Sequence, residues 1–168
     1  MRSFATKMFL LAAIVIGATS ATTIMMKADF KGEWAFNEQK SKLAEGRFRM
    51  NASKIKVSPD GDGLAIERTT ASPNGESATT TDKVALDGKQ TEGTAFGDSK
   101  KKMTAAWSAD GETLTINSNI LFERDGNSME FKTVENWKLL DGGKTLSIET
   151  TTTSQRGTTA NTFVYDKK

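Results

Sequence analysis

A chain of 168 residues with no cysteine and no histidine, carrying 23 basic against 21 acidic side chains, closes off much chemistry before any motif is read. Zinc, haem and copper sites of the usual ligand types are excluded, and so are Ser-His, Cys-His and histidine general-base mechanisms. The near balance of charge argues against a nucleic-acid or anionic-membrane binder, which needs a basic field.

Arg2 and Lys7 precede an almost wholly apolar run from Met8 to Gly17, and Ala18-Thr19-Ser20-Ala21 then supplies the small residues that a signal peptidase accepts. About ten apolar residues are too few to cross a bilayer core of roughly 30 Å as a helix. Residues 1–21 are therefore expected to be a signal peptide, with a retained N-terminal anchor as the alternative. The absence of cysteine excludes a lipid-anchored lipoprotein. The expectation is an exported protein, periplasmic or secreted, with no membrane span once the signal is removed. Arg2 and Lys7 leave with the signal and no acid does, which brings the basic count level with the acidic one. Residues 22–29 read as a short extension and residues 30–168 as one domain, whose stability must come from its core rather than from disulfides.

The domain opens on Phe30-Lys31-Gly32-Glu33-Trp34-Ala35-Phe36, where Phe30, Gly32, Trp34 and Phe36 share one face of an extended strand. Gly32 marks a bend or a close backbone approach. Asn37 to Gly46 carries Glu, Gln, Lys, Leu and Ala before a glycine, which favours one or two helical turns, with a loop as the alternative. From Arg47 onward the pattern becomes strand, tight turn, strand. Turn signals stand at Pro59–Gly63, Ser72–Gly75, Asp87-Gly88, Gly97-Asp98, Asp110-Gly111, Asp125-Gly126, Asp141–Gly143 and Arg156-Gly157. Asx-Gly pairs between runs rich in Thr, Val, Ile and aromatics are hairpin signals. The reading is an all-β, up-and-down antiparallel meander of about ten strands closing into a barrel, with a β-sandwich as the alternative. Turns that feed Leu-x-Ile (Leu64/Ile66, Leu114/Ile116, Leu146/Ile148) fall at one end of the meander, and Thr, Ser and charge gather at the other. That is a cup with an apolar floor and a polar lip.

Phe30-x-Gly32-x-Trp34 resembles the Gly-x-Trp signature that opens the first strand of lipocalins and the related fatty-acid-binding proteins, the calycin group. The chain is also similar to bacterial exported lipocalin-like domains that begin Gly-x-Trp and continue as Asp-Gly hairpins. The resemblance implies a barrel that holds a small apolar or amphipathic ligand, and an arginine late in the chain packed over Trp34. The last strand departs from that pattern: it has no arginine, and only Lys167 or Lys168 could stand in.

Phase then nominates the inward polar residues. Counting by twos from Leu64 and Ile66 reaches Arg68, from Leu114 through Phe122 reaches Arg124, from Met129 and Phe131 reaches Glu135 and Trp137, and from Val84 backward reaches Asp82. The functional reading is a pocket with Trp34, Phe36, Trp107, Phe122, Phe131 and Trp137 against an apolar tail. Arg68 or Arg124 would pair with an anionic head group, flanked by Asp82 and Glu135. The alternative is that these charges pair with each other and the aromatics are plain core; the domain is then a structural or interaction module with no ligand. Nothing in the spacing of Asp82 and Glu135 supports glycoside chemistry, so no enzyme activity is expected. Asp60-Gly61-Asp62-Gly63 lacks the bidentate Glu of a calcium loop and reads as a turn; no metal or cofactor is expected. Lys100-Lys101-Lys102 reads as a solvated charge run.

Overall fold

The computed structural model describes residues 26–44, 51–71, 76–95, 99–124 and 127–168, with only the backbone of Arg124 and Asn127. The expected signal peptide and the turns at 72–75, 97–98 and 125–126 lie outside the described residues. Ten strands follow one another: β1 (Gly32–Phe36), β2 (Lys54–Asp60), β3 (Gly63–Ala71), β4 (Ser77–Ala85) and β5 (Thr91–Thr94), then β6 (Lys100–Trp107), β7 (Thr113–Arg124), β8 (Asn127–Leu140), β9 (Thr145–Ser154) and β10 (Gly157–Lys167). They form one sheet in the order β4-β3-β2-β1-β10-β9-β8-β7-β6-β5, every neighbour antiparallel. The first and last strands therefore pair with each other, through Trp34↔Lys167 and Phe36↔Tyr165. The sheet curls into a nearly closed barrel rather than splitting into the two layers of a sandwich. Among the described residues no ladder joins β4 to β5, and that border is crossed instead by side chains.

Two glycines shape this wall. Gly32 sits at φ +128°, a backbone conformation that side chains rarely adopt; among the described residues no backbone approaches it closely, and the nearest atom to a Cβ there would be the flexible Lys167 Cε at 3.2 Å. At Gly63 a Cβ would fall 2.2 Å from the Val84 carbonyl oxygen, so the first residue of β3 has no room for a side chain beside β4. Asp60↔Gly63 closes a two-residue hairpin around Gly61-Asp62, the turn expected there in place of a calcium loop.

The helix favoured after β1 does not form over residues 37–44, which hold a turn at Glu38–Lys40 and a bridge between Lys42 and Thr162. The reason is local. Asn37 Oδ1 accepts from the Lys40 amide at 3.1 Å, and the Ser41 hydroxyl donates to the Asn37 carbonyl and accepts from the Val164 amide. Such side-chain bonds compete with the helical ladder, and β10 offers Lys42 two backbone bonds through Thr162. The remainder of the expected helix, 45–46, lies outside the described residues.

The apolar floor is where phase puts it. Trp34, Trp137, Leu114 and Leu146 are fully buried, and Ile55, Ile66, Ile116 and Ile148 are no more than 4% exposed. Phe30 runs across this end, stacked on Trp107 at 5.6 Å between centroids and edge-on to Trp137 at 5.8 Å. The Trp34 indole donates to the Phe30 carbonyl at 2.9 Å, so the segment before β1 is tied to the floor it covers. Ala28 adds a backbone bond to Gly111 at 3.0 Å. A buried indole usually finds an acceptor, and for Trp34 that acceptor fixes the plug.

Candidate ligand site in the barrel lumen

Register brings Arg68, Asp82 and Glu135 to one level of the lumen, from β3, β4 and β8. Arg68 pairs in register with Ile55, Asp82 with Ile66, and Glu135 with Ile116 and Thr150. Each is therefore an inward position just above the greasy floor. Arg68 donates from Nη1 to Asp82 Oδ2 at 2.5 Å and from Nη2 to Glu135 Oε2 at 2.7 Å. Glu135 Oε2 also accepts the Trp137 indole N–H at 2.8 Å, and the Arg68 guanidinium lies 5.6 Å from the centre of that ring.

Lys101 completes the group. It sits in the middle of a lysine run read above as solvated, yet only 15% of its side chain is exposed, and its ammonium donates to Asp82 Oδ2 at 2.6 Å. That reading is corrected: Lys100 and Lys102 are exposed, whereas Lys101 points inward. The signal was available, because counting back by twos from Ala105 and Met103, both buried, lands on Lys101. The contact also carries β4 across to β6 over the border that no ladder closes.

The charges are enclosed, with side-chain exposures of 4% for Asp82, 19% for Arg68 and 20% for Glu135. Burial works against the charge on Arg68, but Glu135 and Asp82 outweigh it and hold the guanidinium above its ordinary value. Burial likewise pushes the nearby Tyr165 hydroxyl well above its usual value, against the pull of Arg68. The space beside the cluster, lined also by Ile66, Met103, Ile116 and Ser118, is about 10 Å³, room for a single water.

The other nominated residues divide by height. Trp34 and Trp137 are 0% exposed, so neither has surface for a ligand to touch. Phe36 is half-buried against Phe163 and Tyr165. Trp107 is half-buried at the floor, its Nε1 enclosed with no hydrogen-bond partner among the described residues and the Lys27 ammonium 5.7 Å from its ring centre. Phe122 and Phe131 lie in the polar half, both half-buried. Phe131, Met129, Ser154, Gln155 and Arg156 border a second space of about 80 Å³ at the lip. Arg124 ends β7, and its side chain lies outside what is described. Among the described residues no cluster of three or more Asp or Glu is arranged to hold a metal ion, and no helix is long and apolar enough to cross a membrane.

Strand number, meander order, the pairing of first and last strands, and an anchoring tryptophan in β1 define a calycin-like barrel of ten strands. The Lys167 ammonium lies 5.3 Å from the Trp34 ring centre, a lysine standing where the resemblance implies an arginine. No protein-family model matches the chain, and no curated protein matches it in sequence. Among solved structures, the chain is similar to the zebrafish ileal bile acid-binding protein complexed with cholic acid. The TM-score is 0.48 and the identity 16%, over 83% of this chain and 98% of that one. The fold assignment rests on the strand order and register, not on that likeness.

Proposed function

We propose that this protein is a binding barrel that holds a small amphipathic molecule in the upper half of its lumen, above the ion cluster, and that it acts by binding rather than by catalysis. The observation that carries the reading is the contrast along one inward face. Below the cluster these positions are closed, with Leu114 at 0% and Ile116 at 4% exposure. Above it Ile120, Phe122, Met129 and Phe131, in the same phase, stay half-open around the lip. Between them lie inward hydroxyls, including Ser118 and the hydrogen-bonded pair Thr133 and Thr152. Apolar surface with a few convergent polar groups is what an amphipathic guest requires. Asp82 and Glu135 are both held in ion pairs, which argues against acid–base work by either.

A second reading, the filled module that works through its outer face, is favoured by volume. Spaces of about 10 and 80 Å³ fall short of the roughly 300 Å³ from which small-molecule pockets begin. Titration with a neutral solvatochromic dye separates the two. The binding reading expects a blue shift reversed by a panel of amphiphiles and lost in Phe131→Asp, with far-UV circular dichroism unchanged. No displaceable binding across the panel leaves the filled module standing. The proposal includes export, supported by the n-region, apolar run and small residues of 1–21. N-terminal sequencing of protein recovered outside the cytoplasm should begin at Thr22; an N-terminus still carrying Met8–Gly17 would refute cleavage.

A further inference from the structure

We infer that the lumen takes amphipathic molecules with an uncharged head group and discriminates against anionic ones of the same length; this rests on the binding reading above and names its ligand class. The warrant is charge balance. At mid-height the described residues place four charged side chains, Arg68, Lys101, Asp82 and Glu135, two of each sign. They form one line of contacts, Lys101 to Asp82 at 2.6 Å, Asp82 to Arg68 at 2.5 Å and Arg68 to Glu135 at 2.7 Å. Both cations already face a carboxylate. An incoming carboxylate must either displace Glu135 or Asp82 from Arg68, stranding that group, or add a third negative charge to two positive ones. Either way one net negative charge remains in an enclosed space, where an uncompensated ion is costly.

An uncharged head group leaves the balance intact and finds hydrogen-bonding partners in Ser118, Thr133 and Thr152. The Trp137 indole, by donating to Glu135 Oε2, helps to hold that carboxylate on Arg68 against a competitor. Arg156 does not offset an added charge at this depth, because it is exposed at the lip and its field is screened by water.

The test compares a monoacylglycerol with the fatty acid of the same chain length. Each displaces the neutral dye at neutral pH, below its micellar concentration. Native protein should hold the monoacylglycerol about tenfold more tightly or better. Glu135→Gln leaves one positive charge in excess, so the order should reverse. Adding Arg68→Met restores neutrality and should restore the native order. Fatty acid binding as tight as monoacylglycerol binding in the native protein overturns the inference, and so does an order that Glu135→Gln leaves unchanged. Dye that does not bind, or that neither lipid displaces, is a different result and sinks the binding reading itself. Retained monoacylglycerol binding shows that Glu135→Gln is folded. Should that variant lose its β circular dichroism, Lys101→Met imposes the opposite imbalance; it must weaken the fatty acid while sparing the monoacylglycerol, and equal effects on both refute the charge rule.

Discussion

Replacing Arg68 by methionine tests whether the ion cluster is a single structural unit. The substitution keeps most of the side-chain volume and removes the cation between two carboxylates at 2.5 and 2.7 Å. Breaking a buried pair from one side costs about 3–5 kcal/mol, because the remaining charge stays enclosed. Two features reduce that figure here. Asp82 keeps Lys101 and Glu135 keeps the Trp137 indole, and Arg68 and Glu135 retain 19% and 20% exposure. A loss of about 2–4 kcal/mol is expected on these grounds. With a urea m-value of about 2 kcal/mol/M, the unfolding midpoint should fall by roughly 1–2 M, read by tryptophan fluorescence and circular dichroism together. Arg68→Met/Glu135→Gln should recover part of the loss, because the stranded carboxylate is gone. A midpoint for Arg68→Met within about 0.3 M of native would refute the reasoning, since it would mean that water already screens the cluster.

Other expectations follow from single contacts. Gly63→Ala forces a Cβ against the Val84 carbonyl oxygen at 2.2 Å and should cost about 1–3 kcal/mol in urea unfolding, as overpacking does. Trp34→Ala empties the centre of the floor and should cost about 3–5 kcal/mol, whereas Lys167→Gln removes only the cation over that ring, worth about 0.5–1 kcal/mol at an exposed site. The Asp166 carboxyl is held below its ordinary range, chiefly by the Lys40 ammonium and also by Asn37. A depressed folded-state value means that its stabilisation is complete above the unfolded-chain value near 3.8 and is lost as pH falls through the folded one. Acid titration of stability in Asp166→Asn should therefore show a shallower loss below that pH than the native protein.

Alternation by twos was enough to turn Arg68, Asp82 and Glu135 inward, because apolar residues in the same phase along each strand set its facing; that the three meet at one level comes from the register between strands, which alternation does not give. It also placed the floor, through Leu64, Ile66, Leu114 and Ile116. Lys101 escaped because three consecutive lysines look solvated when counted as a run, although phase from Met103 already pointed it inward. After β1 the loop alternative holds rather than the helix. The helix formers over residues 37–44 are outweighed by Asn37, Ser41 and the edge of β10, which supply side-chain and cross-strand bonds. How far the lumen is filled could not be read from periodicity. It depends on how tightly Phe30 caps one end and on how the Lys101–Asp82 contact draws β4 toward β6, and neither is a property of one strand.

The missing ladder between β4 and β5 has a consequence for how the wall fails. Among the described residues β5 is bonded on one side only, through four residue pairs to β6, so it has few amides to release in a thermal fluctuation. Backbone hydrogen exchange should thus be fastest along Thr91–Thr94 and slowest where β7, β8 and β9 adjoin. In a crowded solution the free sides of β4 and β5 are complementary templates, and a pair of chains that opened there together could lay β4 of one against β5 of the other and join as a dimer.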